Sequence, residues 1–180
     1  PYRKGITKEL YNHHQRLSVE VVKRYNIPKD SLVVDIGSND GTLLKGFDRQ
    51  GMRPLGVEPT NIAKIANDDG INTIQDFFSE KVANEIIKQH GKAKVITATN
   101  MFAHIANLGD IILGIEKLLD DDGILVLENH YLFDIIEGLQ FDSIYHEHLR
   151  SYSIKPVVQL FQYYGLTVTD AHRVASYGGS

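Results

Sequence analysis

The sequence predicts an α/β domain with a mostly parallel sheet and helices on both faces. Two observations carry this. Short β-branched runs alternate with segments of helical spacing along the whole chain. The first such run, "SLVVDIG", is apolar almost throughout and ends in glycine, the pattern of a parallel strand buried on both faces.

Taken in order, "TKELYNHHQRLSVEVVKRYN" places Leu10, His14, Leu17, Val21 and Val22 on one stripe, a helical spacing. "SLVVDIG" is strand one, "GTLLKGFDRQG" a helix and "RPLGVEP" strand two. "TNIAKIANDDG" is helical with a glycine stop, and "INTIQDFF" reads as strand three. Ser79 caps the helix "SEKVANEIIKQHG", because a serine hydroxyl satisfies an orphan N–H of the first turn. "AKVITATN" is strand four, "LGDIILGIEKLLDDDG" a helix and "GILVLENHY" strand five. "SIKPVVQLFQYYG" is a helix with Pro156 in its first turn, and "LTVTDAHRV" reads as a sixth strand. The chain is thus one domain over residues 1–180, an N-terminal helix in 1–30 and an α/β core in 31–180.

Composition excludes several classes. The 180 residues include 42% hydrophobic and 23% charged residues, a globular balance with enough apolar mass for a core. A formal net charge of −4 argues against a broad nucleic-acid surface, which needs Lys and Arg. The absence of cysteine removes disulfides, thiolate metal sites and cysteine nucleophiles, and fits a reducing, cytoplasmic setting. No apolar run approaches the roughly 20 residues that span a bilayer, so no membrane partner is expected. The chain opens on Pro1 and closes on "SYGGS", and both ends are read as cuts in a longer protein.

Ligands of open α/β sheets bind at the carboxyl ends of the strands, beside the first one. Here that turn reads "VVDIGSNDGTLL". Gly37 and Gly41 allow a tight turn and close approach of a ligand to backbone. Glu58, with Pro59 after it, ends strand two and is placed to accept from both hydroxyls of a ribose. A dinucleotide site would show G-x-G-x-x-G with pyrophosphate on a helix N-terminus. This loop has G-x-x-x-G and puts the carboxylate of Asp40 where phosphate would sit. S-adenosylmethionine carries a ribose, an adenine and a cationic tail but no phosphate, so the loop favours it over NAD. Asp35 or Asp40 would meet its ammonium, directly or through water, and Ser38 and Asn39 belong to the same cofactor-binding turn. Asp76 is a candidate to accept from the adenine amino group while Phe77 packs on the ring; the alternatives are a turn residue and a core side chain. Asn100, just past strand four, is a candidate bridge between cofactor and substrate.

Near the C-terminal end, "FDSIYHEHLRSYS" crowds Tyr145, His146, Glu147 and His148 together. Such a cluster suits acid–base chemistry, a metal or a plain turn. His146 and His148 share a face in extended backbone, but no third ligand accompanies them, and no metal is expected. His13, His14, His90 and His172 read as solvated or packed, and His130, after strand five, as packed or as bordering the site.

The motifs "DIGSNDGTLL", "FAHIANL" and "IYHEHLRSYS", with the closing "YGGS", resemble the S-adenosylmethionine-dependent sugar C-methyltransferases of deoxysugar and polysaccharide pathways. The resemblance covers nearly the whole chain. It implies a class I methyltransferase Rossmann-like fold and methylation of a carbon next to a ketone on a nucleotide-linked deoxysugar. It makes His148 the base, with Tyr145, Glu147 and His104 as its neighbours, and matches Tyr2 to an aromatic residue at the family's domain start. It also implies a cysteine-rich zinc module before this domain and a seventh strand and further domain after it, none of which this sequence contains. An O- or N-methyltransferase and a non-catalytic cofactor-binding fragment are the alternatives.

Overall fold

A computed structural model describes residues 7–174. Its centre is a five-stranded, wholly parallel sheet in the order β3-β2-β1-β4-β5. The strands are β1 (Leu32–Ile36), β2 (Arg53–Val57), β3 (Thr73–Ile74), β4 (Ala93–Thr99) and β5 (Leu119–Glu128). The helices are α1 (Lys8–Arg24), α2 (Thr42–Asp48), α3 (Ile62–Asp68), α4 (Glu80–His90), α5 (Leu108–Leu118), α6 (Leu132–Glu137) and α7 (Ile154–Tyr163).

Successive side chains of a strand point to opposite faces, and the two cores follow from that alternation. Leu32, Val34 and Ile36 of β1 face one core with Ile86 of α4, Ile112 and Ile115 of α5, and Phe161 of α7. Val33 faces the other, with Val21 of α1, Leu43, Leu44 and Phe47 around α2, and Ala66 of α3. Each fully buried aliphatic side chain contributes roughly 1.5–3 kcal/mol, so β1 is clamped from both sides. The Ser79 hydroxyl accepts from the Val82 amide at 3.3 Å, which is the expected cap of α4.

Three elements depart from the sequence reading. The stretch 71–78 yields only two residues of strand, because after Ile74 the chain leaves the sheet edge and Phe78 turns back into the core. The helix read over 108–123 stops at Leu118. Leu119 already pairs with Ala93, and the three aspartates that follow lie in the strand, where Asp121 pairs with Lys92 and Asp122 with Lys94. The predicted sixth strand, residues 166–174, does not form. Leu166 and Val168 satisfy their alternation by packing on the core, but no neighbouring strand among the described residues offers a ladder. The short α6 was not anticipated. Tyr2 and the closing "YGGS" lie outside the described residues.

Candidate active site

The glycine turn leaves the top of β1 with Gly37, Asn39 and Gly41 at φ values of 73°, 53° and 73°, the left-handed region that glycine adopts without strain and asparagine tolerates. A Cβ on Gly41 would lie 3.1 Å from the Ile71 side chain, a tight contact added to a dihedral that favours glycine. The Gly37 and Ser38 amides donate to the Val57 carbonyl at 2.8 and 3.2 Å, which pins the turn to the end of β2.

Carboxylates hold this turn in shape. Glu58 is 6% exposed; its Oε2 accepts from the Asn39 amide at 3.0 Å. Its Oε1 accepts from the Thr60 amide at 3.0 Å and the Thr60 hydroxyl at 2.7 Å. A carboxylate has about four acceptor sites, so Glu58 keeps capacity for a ribose hydroxyl. Asp40 turns back onto α2, accepting from the Thr42 hydroxyl at 2.7 Å and its amide at 3.3 Å. Asp35 is fully buried in β1 and accepts from the Thr97 hydroxyl at 2.7 Å, across the Asp35–Thr97 register of β1 and β4. Asp40 thus anchors the loop to the start of α2, while Asp35 ties β1 to β4. Phe77 is 75% exposed, which removes the core reading and leaves an aromatic face bare beside Asp76 at the end of β3.

A cavity of about 500 Å³ opens beside this turn, lined on the cofactor side by Gly37, Asn39, Thr99 and Asn100. Its other wall is His104, His130, Tyr145, Glu147 and His148. An open groove of about 580 Å³ elsewhere is lined by α4 alone, by Glu80, Lys81, Asn84, Glu85 and Lys88, and gathers no converging chemistry.

The wall is made by two motifs far apart in sequence. The Leu149 amide donates to the Ala103 carbonyl at 2.9 Å, and the Arg150 guanidinium donates to the carbonyls of Ile105 and Ala106. The Tyr152 hydroxyl donates to the Phe102 carbonyl at 3.2 Å. "FAHIANL" and "YHEHLRSY" therefore interlock through main-chain carbonyls. This fastening brings the rings of His104 and His148 to 5.0 Å and those of Tyr145 and His148 to 4.3 Å. His130 stands 5.2 Å from His148 and lines the cavity, the second of the two places its position after strand five allowed.

His148 Nδ1 lies 2.8 Å from the Ser143 carbonyl oxygen. A carbonyl only accepts, so Nδ1 carries the proton and donates, and Nε2 is the basic nitrogen. The contact that orients this imidazole is thus a main-chain carbonyl rather than the carboxylate of Glu147. Burial, then the neighbouring His148, holds His104 below the ordinary histidine pKa, although Glu147 and a hydrogen bond to its backbone pull the other way. Burial also lowers His130, helped by His148 and His104. His146 points its ring toward Tyr145, at 5.9 Å, and does not line the cavity. No group of three His, Asp or Glu side chains able to hold a metal ion occurs among the described residues.

Two residues behind the cavity escaped the sequence reading. His13 of α1 and Glu128 at the end of β5 form a shielded ion pair, Nε2 to Oε2 at 2.7 Å. The bond to Glu128 raises the His13 pKa against the opposing effect of burial. Glu128 is lowered: burial pushes its carboxyl up, but the hydrogen bond and charge of His13, with His14 and Asn100, outweigh it. No signal of one residue's neighbourhood predicts a partner 115 positions away.

A parallel β3-β2-β1-β4-β5 sheet, a glycine turn after β1 and an acid after β2 define a class I methyltransferase Rossmann-like fold. The chain belongs to the methyltransferase domain family, whose model matches residues 10–171. It is 37% identical over 172 residues to the C-methyltransferase NovU of Streptomyces niveus, covering 95% of this chain. The chain spans 41% of that relative's length. The YcgJ protein of Bacillus subtilis has a similar fold, with a TM-score of 0.68 at 17% identity over 91% of this chain and 72% of that one. The plantazolicin methyltransferase BpumL, solved in complex with SAH, gives 0.60 at 16% identity over 86% and 62%. No helix among the described residues is long and apolar enough to cross a membrane.

Proposed function

We propose that this domain transfers a methyl group from S-adenosylmethionine to a carbon alpha to a ketone, on a nucleotide-linked deoxysugar. The observation that carries the reading is the orientation of His148: with Nδ1–H committed to Ser143, Nε2 is the nitrogen left to take a proton, on the wall facing the cofactor turn. A sulfonium methyl needs an electron-rich acceptor, and a carbon acquires that density by losing the proton next to a carbonyl. In this reading His148 Nε2 takes that proton; the C–H electron pair moves into the enolate. The enolate carbon then attacks the methyl group as the methyl–sulfur bond breaks, leaving the thioether and a protonated His148. In this reading His104 or Tyr145, whose rings lie beside His148, donates to the enolate oxygen, a role best filled by a group aimed before reaction. The low pKa of His104 suits a neutral donor rather than a cation.

The resemblance of the three motifs to sugar C-methyltransferases and the identity to NovU support carbon as the acceptor. The test is proton exchange without methyl transfer. The protein, with S-adenosylhomocysteine and a 4-keto nucleotide-sugar in deuterated water, should wash out the alpha proton, and His148→Asn should not. Exchange at the normal rate in His148→Asn would remove His148 as the base.

A further inference from the structure

The catalytic reading leaves the His13–Glu128 pair unused, yet it sits directly behind the cofactor end of the cavity. Asn100 ends β4 with φ at 55°, a left-handed conformation that asparagine tolerates but does not favour. Two bonds to one residue hold it there. Its amide donates to the Glu128 carbonyl at 2.7 Å, and its Nδ2 donates to Glu128 Oε1 at 3.3 Å. The second bond settles which way the carboxamide faces. An ionised carboxylate only accepts, so the NH₂ group must face Glu128 and Oδ1 must face away. Asn100 Oδ1 is buried and has no hydrogen-bond partner in the protein, while the residue lines the cavity beside Gly37 and Thr99. A buried acceptor without a donor is costly, and such a group points to a ligand that supplies one.

We propose that Glu128, itself held by His13, is a positioning residue that acts through Asn100, presenting Oδ1 as an acceptor for the ammonium group of S-adenosylmethionine. The inference rests on the cofactor assignment. The groups around Glu128 fit a holding device. His13 grips Oε2, leaving Oε1 to Asn100, and His14, buried on the same helix, adds its field. The carboxylate behind the carboxamide also polarises it, so Oδ1 becomes a stronger acceptor for a cation. Helix α1 thereby reaches the site without touching the ligand.

The test is a double-mutant cycle in cofactor affinity, measured by calorimetry on this chain with S-adenosylmethionine and S-adenosylhomocysteine. Asn100→Ala and Glu128→Ala should each weaken binding roughly tenfold or more, as loss of a bond to a charged group does. Combined, they should weaken it no further than the worse single change, because Glu128 acts only through Asn100. Glu128→Gln keeps an acceptor for Asn100 Nδ2 and should recover most of the loss. Should Glu128→Ala not fold, His13→Gln replaces it in the cycle with the same expected non-additivity. Losses that multiply, or a Glu128→Gln as weak as Glu128→Ala, would overturn the positioning role. A wild-type chain that binds neither ligand would instead sink the cofactor assignment, so the two failures are distinguishable.

Discussion

The two walls of the cavity are built in opposite ways. The cofactor wall stands on strand ends: Asp35, Ser38, Asp40 and Glu58 are all buried, with Glu58 bonded to the Asn39 amide of the turn, Asp40 to the Thr42 hydroxyl and Asp35 to Thr97 of β4. The acid–base wall stands on a loop, where Tyr145, His146 and Glu147 are exposed and His148 is half-buried. Its order comes from carbonyls of the neighbouring loop and from Ser143. The difference teaches how the work divides. Recognition of a constant cofactor needs a preformed site, and the sheet supplies one. A proton transfer needs a side chain that meets its partner, and loops carry such groups on a rigid scaffold.

If that division holds, substitutions on the two walls should separate binding from turnover. His148→Asn should have the largest effect, lowering turnover by about 10²–10⁴-fold, the usual worth of a general base, with cofactor affinity nearly intact. Parallel steady-state kinetics and calorimetry check this; a comparable loss of affinity would erase the distinction between the walls. Glu58→Ala should do the reverse, weakening cofactor binding by about 1.5–3 kcal/mol. It also frees the Asn39 and Thr60 amides, so the melting temperature should fall with it.

Gly41→Ala sharpens the comparison on stability. With φ at 73° and Ile71 at 3.1 Å from the new Cβ, it should cost about 1–3 kcal/mol in denaturant unfolding. Gly70→Ala carries the same left-handed strain, with φ at 85°, but nothing lies within 4 Å of its new Cβ, so it lacks the contact that Gly41→Ala makes with Ile71. Equal losses at the two positions would mean that the turn is not specially constrained.

The smallest expected effect is on pH. His13 is raised above its ordinary 6.5, so its pairing stabilises fully below that value and is lost as pH rises through the higher folded pKa. Glu128 is lowered, so its share is present above its ordinary 4.5 and lost as pH falls through the lower folded value. The melting temperature should therefore decline as pH rises from 6.5 through the higher folded pKa of His13, and His13→Gln should flatten that decline. An unchanged slope would place the pair outside the stability of the fold.

The legible parts were those whose signal is local. Gly37, Gly41 and Glu58 announce themselves because a strand, a turn and a second strand lie within one short stretch. Ser79 was visible as a cap for the same reason. Residues 166–174 alternate like a strand, yet a strand also needs a neighbour, and alternation does not report one. The orientation of His148 depends on the main-chain carbonyl of Ser143, and every residue has a carbonyl, so side-chain identity carried no trace of it. His13 looked like any helical histidine, since Glu128 comes near only after the sheet has formed. Phe77 and Phe78 are identical in the sequence; the chain's exit from β3 decides which is bare and which is buried.

The most direct measurement of the central claim is the position of the transferred methyl group. The protein is incubated with S-adenosylmethionine labelled with carbon-13 in the methyl and a 4-keto nucleotide-sugar, and the product is read by NMR. The account predicts a labelled methyl bonded to a ring carbon next to the former ketone, with the alpha proton lost to solvent. A labelled methyl on oxygen, with the alpha proton retained, would contradict it.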